Sequence, residues 1–392
     1  MLKKKMSDVS EQIRGVSYKP EDILSGPGEN AIGILRANNI ADGAVNFDDL
    51  VYVKKSKVSQ KQMLRKGDIL ICTSSGSKNL VGKAAQIEED CNYSFGAFCK
   101  VIRPQKINPG FLGMYFQSSL YRQYISEVSQ GANINNIKNV HIDAIEIEGY
   151  SENEQKKIAE LLERIVKIIK IRKQQISVLD TLIKSRFIEM FGDCIINPKG
   201  WKTRCLEEIA EVGSSKRVFV EELQETGIPF YRGTEIGVLA EGKKITPQLF
   251  ITENHYEELC RATGMPQIGD LLMPSICPDG RIWMVNTDEP FYFKDGRVLW
   301  IHAIDSHYNP VFLLYTLKDR IMADYSNIAS GTTFAELKIF ALKKCQIFDV
   351  PITLQNEFAI FVAQTNKSKA IVQVALDKAQ LLFDSLMQKY FG

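Results

Sequence analysis

Histidine is scarce in this chain, with 4 among 392 residues. The eight cysteines, Cys72, Cys91, Cys99, Cys194, Cys205, Cys260, Cys277 and Cys345, include no Cys-x-x-Cys pair. None is spaced with histidine in a way that would hold zinc, so scattered reduced thiols are expected. No apolar run is long enough to span a bilayer. The start, MLKKKMSDVSEQ, is basic but lacks the apolar core of a signal peptide. A cytoplasmic protein is expected. Net charge is only +2, which neither demands nor excludes nucleic acid, so any basic surface must be local. With 45% hydrophobic and 24% charged residues the chain is globular in type, and its length exceeds one ordinary core.

Catalytic constellations are also missing. The stretch Gly76 to Lys83 falls short of a phosphate loop. It has five residues between its glycines instead of four, and Ala84 stands where a hydroxyl should bind magnesium. Asn309-Pro310-Val311-Phe312 approaches the motif of adenine-N6 methyltransferases but lacks its second proline and a preceding glycine-rich loop. Pro278-Asp279 is followed by no acid-x-Lys at a useful distance, as a nuclease would need. His302 and His307 are close together, but no acid or cysteine partner is obvious in the sequence. The expectation is no catalytic residue, no metal and no cofactor on this chain.

What the chain does have is an internal repeat. Leu354 to Gly392 echoes Glu154 to Gly192 at an offset of 200. Gln155 matches Gln355, Ile171 matches Ile371, Leu182 matches Leu382, and both copies end in Phe-Gly. The echo continues upstream in order. Arg36 aligns with Arg232, Gly67-Asp68 with Gly269-Asp270, and Gly82-Lys83 with Gly280-Arg281. Asn108-Pro109 aligns with Asn309-Pro310, and Gly131 with Gly331. The Asn-Pro pair therefore reads as a helix start of the scaffold rather than a catalytic motif.

Short apolar runs between Gly, Pro and Asn predict strands at Asp68–Cys72, Ala97–Ile102, Asp270–Met273 and Val298–His302. Short helices are predicted over Phe111–Ser118 and Val311–Leu317. Strict β-α alternation is absent, so the expected class is α+β with mixed sheets. The repeated helices carry heptad-like seams. In the first these are Ile158, Leu162, Ile165, Ile169, Ile176, Leu179 and Ile183. In the second they are Phe358, Val362, Val372, Leu376 and Phe383. A seam that long needs a partner, and the other copy is the nearest one. The expected plan is a mixed domain over 1–150, a helical region over 151–192, a second domain over 193–350 and a second helical region over 351–392. The helices are expected to pair as an antiparallel coiled coil with pseudo-twofold symmetry.

On these residues the chain resembles the specificity subunit of type I restriction-modification enzymes. The most specific stretch is Leu179 to Asp193, LDTLIKSRFIEMFGD, which is similar to the end of that family's central helical region. Gly67 to Cys72 followed by Gly82-Lys83-Ala84-Ala85 is similar to its target-recognition domains. The Glu154-Gln155 helix start fits, whereas the second copy departs with Leu354-Gln355. The resemblance implies two target-recognition domains, each reading one half of a split double-stranded DNA site. It implies helices that set spacing and dock two methyltransferase subunits, with motor-nuclease subunits as further partners. S-adenosylmethionine, ATP and magnesium would sit on those partners.

Base reading needs forked donors and acceptors in loops, and phosphate contact needs cations and hydroxyls. Candidates in the first half are Tyr18, Lys19, Arg36, Asn38, Ser74, Ser75, Lys78, Asn79, Lys83, Asn133 and Asn135. In the second they are Lys216, Arg217, Arg232, Thr234, Arg281, Thr332 and Thr333. The recurring cations Arg36 with Arg232 and Lys83 with Arg281 suit phosphates, which both half-sites share. Rival readings are a related bifunctional restriction system, a methyltransferase or nuclease with a degenerate site, and a coiled-coil adaptor without DNA contact.

Overall fold

The structure, a computed structural model, describes residues 3–41, 43–77, 79–129, 135–330 and 335–392. Its contacts divide the chain into two compact units. The first holds residues 1–174 and 372–392, and the second holds 175–371. The long helices, Glu152–Phe191 and Ile352–Phe391, are 40 residues each. Each helix gives one part to either unit, so contacts group the chain differently from the four segments drawn on sequence.

The first unit is built on two four-stranded sheets. One has the order Ala84–Gln86, Ile69–Cys72, Cys99–Pro104, Ser10–Arg14, with antiparallel neighbours. The other places Tyr93–Phe95 parallel to Ala31–Leu35, followed by Val51–Lys54 and Ile23–Leu24. The basic start forms a strand, Lys3–Lys5, whose partners across the ladder are Glu148, Ile147 and Glu146. Opposite charges therefore face each other along it.

The second unit repeats this plan. Its four-stranded sheet has the order Trp283–Met284, Leu271–Pro274, Val298–His302, Glu211–Gly213. Its smaller sheet again contains one parallel pair, Tyr292–Phe293 against Ile228–Tyr231. The class is α+β with mixed sheets, as the irregular alternation suggested. The predicted strands lie where expected within one or two residues.

The Asn-Pro helices show one departure. The first runs Pro109–Tyr115 and stops before a second helix, Ser119–Val128. Ser118 breaks it by turning its hydroxyl to cap the Tyr121 amide at 3.2 Å. The second copy has Asp319 there, and its helix runs on from Pro310 to a kink at Asp324 before ending at Ile328. It is thus longer than the predicted Val311–Leu317. In both copies the asparagine is the cap: Asn108 Oδ1 accepts from the Phe111 amide at 3.0 Å, and Asn309 Oδ1 from Val311 at 2.9 Å.

The repeated glutamines have one job in both units. Gln155 is 3% exposed and Gln355 is 0% exposed. Gln155 Oε1 accepts from the Asn108 amide at 2.9 Å while its Nε2 donates to the Tyr150 carbonyl at 2.9 Å. Gln355 Oε1 accepts from Asn309 at 2.8 Å, and its Nε2 donates to Val350 and His307 carbonyls. Each glutamine thus staples the start of a long helix to the start of the Asn-Pro helix. Both ends of a buried amide are satisfied, which makes the staple specific.

Within each unit the two helix segments run antiparallel. In the second, Phe187 and Phe191 pack on Phe358, Arg186 lies over Phe361, and Lys369 pairs with Asp180 at 2.6 Å. As one number rises the other falls. In the first, Ile158, Ala159 and Leu162 share a core with Met387 and Phe391. Tyr150, just ahead of the central helix, meets Tyr390 edge-on. The seam residues grade in burial. Ile158, Leu162, Ile165, Ile169, Ile183, Phe358 and Val362 are buried, whereas Ile176, Leu179, Val372, Leu376 and Phe383 are half-buried. Ile158, Leu162, Ile183, Phe358 and Val362 also belong to the cores of the units. Apolar side chains remain exposed on the outer faces of both helices. Ile171, Ile371, Leu182 and Leu382 are among them, two pairs that match across the repeat.

Candidate nucleic-acid interface

In each unit several loops converge on one turn of the backbone. In the first unit the turn is Phe95 to Cys99. Val16 donates its amide to the Phe95 carbonyl at 2.7 Å, and Gly96 donates to Leu35 at 2.9 Å. A Cβ on Gly15 would collide with the Gly96 carbonyl, so glycine is required at this crossing. The Phe98 carbonyl accepts three bonds, from the Thr73 amide at 2.9 Å, the Ser74 amide at 3.2 Å and the Thr73 hydroxyl at 3.1 Å. Thr73 in turn accepts from the Ile137 amide at 2.8 Å.

The second unit rebuilds this hub around Phe293 to Val298. Lys294 donates to the Tyr231 carbonyl at 2.9 Å, Ser275 to Arg297 at 2.9 Å, and Leu337 to Ser275 at 2.8 Å. Where the first unit used a glycine crossing, the second uses hydroxyls. Ser214 Oγ donates to the Val298 carbonyl and Ser215 Oγ to the Phe293 carbonyl, both at 2.6 Å. The turn is one residue longer here, with five steps from Phe293 to Val298 against four from Phe95 to Cys99.

Several candidate residues gather at these hubs. Ser74-Ser75 pairs with Asn135-Asn136, which carries Asn135 beside the serines. Both serines are half-buried. Exposed Lys216 donates its amide to the Tyr292 hydroxyl at 3.0 Å, and Arg217 reaches Asp295 at 3.1 Å. Arg36 and Asn38 both donate to Asp49, at 3.0 and 3.3 Å. Arg232 forks onto Glu235, and Thr234 adds its hydroxyl at 3.0 Å.

The arginine pair recurs in conformation as well as identity. Arg36 and Arg232 both precede a short helix whose third residue caps them, Asn39 at 2.8 Å and Glu235 at 2.9 Å. Both guanidiniums are partly exposed and already matched to a carboxylate. Burial opposes ionisation of Glu235, but hydrogen bonds from Arg232 outweigh it and hold the carboxyl down at about 2. A phosphate at either arginine would compete with that acid.

Other candidates are scattered. Lys83 and Arg281 both follow glycines with positive φ, Gly82 at 78° and Gly280 at 65°. Their surroundings differ. Arg281 pairs with Asp279 at 2.7 Å and lies against Gly237, where a Cβ would come within 2.9 Å of its Nη1. Lys83 is half-buried, with its carbonyl accepting from Cys72. Asn79 lines a small cavity of about 160 Å³ with Val81, Arg122, Ile125, Ser126 and Ser129. Tyr18 packs half-buried beside Val16, Ile32, Ile34 and Val53. Exposed Lys19 approaches Glu21 at 3.8 Å. Lys78, Asn133, Thr332, Thr333, Gly131 and Gly331 lie outside the described residues.

The histidines require a correction. Acidic partners invisible in sequence appear in space: His307 Nδ1 lies 2.7 Å from Asp305, and His302 Nε2 lies 3.8 Å from Glu211. His302 also stacks on Trp300 at 3.7 Å between centroids. Among the described residues no group of three or more His, Cys, Asp or Glu could hold a metal ion. Nor is any helix among them long and apolar enough to cross a membrane. Phe98, Lys294, Arg297 and Glu336 are hub residues that sequence reasoning missed.

The family model described as the type I restriction modification DNA specificity domain matches residues 3–181. Over 180 residues the chain is 42% identical to the StySPI type I restriction enzyme specificity subunit of Salmonella potsdam, covering 46% of this chain and 39% of that protein. The chain therefore aligns with well under half of that relative's length. It is 25% identical over 329 residues to the MjaIX specificity subunit of Methanocaldococcus jannaschii, covering 78% of this chain and 72% of that one. In fold it is similar to the S subunit of a type I restriction-modification system from M. genitalium, with TM-score 0.60, 16% identity, and coverage of 100% and 96%. Residues 3–181 thus match a type I restriction modification DNA specificity domain, and the rest of the chain shares the fold of an S subunit.

Proposed function

We propose that this chain is the DNA-recognition subunit of a type I restriction-modification complex, with each unit reading one half of a split site. One observation carries the reading. The hub of the first unit lies within the matched residues 3–181, and the second unit repeats three of its backbone bonds with different side chains. Two readers of one design with different surfaces suit a target with two unlike halves.

The chain itself catalyses nothing on this reading. Methyl transfer and cleavage belong to partner subunits that bind S-adenosylmethionine, ATP and magnesium. The exposed apolar pairs Ile171 with Ile371 and Leu182 with Leu382 support docking of two like methyltransferase subunits, because the same side chains recur on both helices. The recurring Arg36 and Arg232 are phosphate contacts in this scheme, with Ser74, Ser75, Lys216 and Arg217 on the reading face.

The test is to express the chain with its methyltransferase partner and map N6-methyladenine across the genome. The expected result is one split motif with a fixed gap. Methylation without the chain, or by the chain alone, would refute a non-catalytic specificity role.

A further inference from the structure

Position 98 in the first unit corresponds to position 297 in the second. The Phe98 carbonyl receives the Thr73 amide, and the Arg297 carbonyl receives the Ser275 amide, each at 2.9 Å. Thr73 and Ser275 then receive the amides of Ile137 and Leu337, each at 2.8 Å. Both residues immediately precede the strand that runs through the middle of the four-stranded sheet. The backbone is the same and firmly held, but the side chains differ in kind.

Phe98 is 70% exposed, although Phe95 three residues earlier is completely buried. An exposed ring on a carbonyl that accepts three hydrogen bonds is presented rather than packed. Arg297 is 56% exposed at its side chain and is held by Glu336. A shared phosphate contact would keep a cation in both units, as Arg36 and Arg232 do. A position that carries a phenyl ring in one unit and a guanidinium in the other has the character of a reading position. A ring suits the C5-methyl of thymine, and a guanidinium suits the O6 and N7 acceptors of guanine.

We infer that Phe98 and Arg297 are equivalent specificity-determining residues, Phe98 touching a thymine methyl in one half-site and Arg297 donating to a guanine in the other. This rests on the DNA-recognition reading above. Glu336 would keep the guanidinium extended until the base replaces it.

The experiment uses the full chain with its methyltransferase partner. The wild-type motif is mapped first, and binding is then measured on duplexes carrying it. Phe98→Ala should weaken specific binding roughly tenfold to a hundredfold. It should leave non-specific binding and the salt slope unchanged, because no charge is removed. Replacing one thymine of the first half-site by deoxyuridine should reproduce that loss in the wild type and add nothing in Phe98→Ala. Arg297→Ala should relax the motif at one guanine of the other half-site only. Circular dichroism and an unchanged melting temperature establish that each variant is folded.

Equal weakening on all sequences, or a Phe98→Ala loss that no deoxyuridine reproduces, would overturn the assignment. A wild-type complex without any split motif would instead sink the DNA-recognition reading itself. A wild-type motif left intact by both variants would sink only this inference.

Discussion

The corner that precedes Ile69–Cys72 in the first unit and Leu271–Pro274 in the second is built twice on one backbone and finished in two different ways. In the first unit Gly67 sits at φ 88° and Asp68 Oδ2 accepts from the Arg65 amide at 2.9 Å. In the second Gly269 sits at φ 97° and Asp270 Oδ2 accepts from Gln267 at 2.9 Å. The remaining aspartate valence differs. Arg103 grips Asp68 with two bonds, at 2.8 and 2.7 Å, and both groups are buried. Across the same ladder position stands His302, whose partner strand residue is Glu211 where Arg103 faces Glu11. Asp270 receives instead one bond from the Trp300 indole at 2.9 Å. Burial raises the Asp270 carboxyl, and the Gln267, Trp300 and His302 contacts only partly offset it. The Gly-Asp pair is thus a backbone device. What neutralises its carboxylate is free to change.

The contrast can be broken most forcefully at Arg103. Arg103→Leu leaves the Asp68 charge buried without its cation and should destabilise the first unit by about 3–5 kcal/mol. All three tryptophans, Trp201, Trp283 and Trp300, lie in the second unit. Urea unfolding followed by far-ultraviolet dichroism should therefore shift while tryptophan emission moves little. A coincident shift of both signals would show that the two corners are not energetically separate. The glutamine staples test the opposite point, that the units share a device. Gln155→Leu and Gln355→Leu should each cost about 1–3 kcal/mol by orphaning buried backbone groups. Only the second should register strongly in tryptophan emission.

Trp300→Phe should cost about 1–2 kcal/mol, since Asp270 Oδ2 is left with the Gln267 amide alone. The pH dependence sharpens this. A carboxyl raised on folding binds its proton more tightly in the native state. Its contribution is present below the ordinary value of 3.8 and fades as pH rises through the raised value. Asp270→Asn should remove that slope from the second unit, measured as urea midpoints between pH 4 and pH 7. An unchanged slope would assign it to other groups. The smallest effect is expected at Glu235→Gln, about 1 kcal/mol from a weakened helix cap. Here the sign reverses. The Glu235 carboxyl is depressed, so its contribution is present above 4.5 and lost only as pH falls towards about 2.

The repeat, the class and the strands were legible because they rest on residues whose identity is their function. Gly67-Asp68, Asn108-Pro109 and Gln155 recur as Gly269-Asp270, Asn309-Pro310 and Gln355 since each makes the same backbone bonds. Arg36 and Arg232 were legible for the same reason, although sequence could not reveal the acids that claim them. Phe98 and Arg297 were hidden because their turns differ by one residue and their side chains share no chemistry. Only the carbonyls align them. The acidic partners of His302 and His307 were hidden because Glu211 joins His302 across a ladder and Asp305 reaches His307 through a turn.

The sharing of the long helices has a consequence for biosynthesis. The core of the first unit contains Met387 and Phe391, packed with Phe111, Leu112 and Leu162. A ribosome must therefore translate the whole second unit before the first can close. The usual order, in which the N-terminal domain folds while the rest is still being made, is not open to this chain. Until residue 391 emerges, the apolar face of the first unit waits uncovered. That interval is when a chaperone, or an aggregate, would find it.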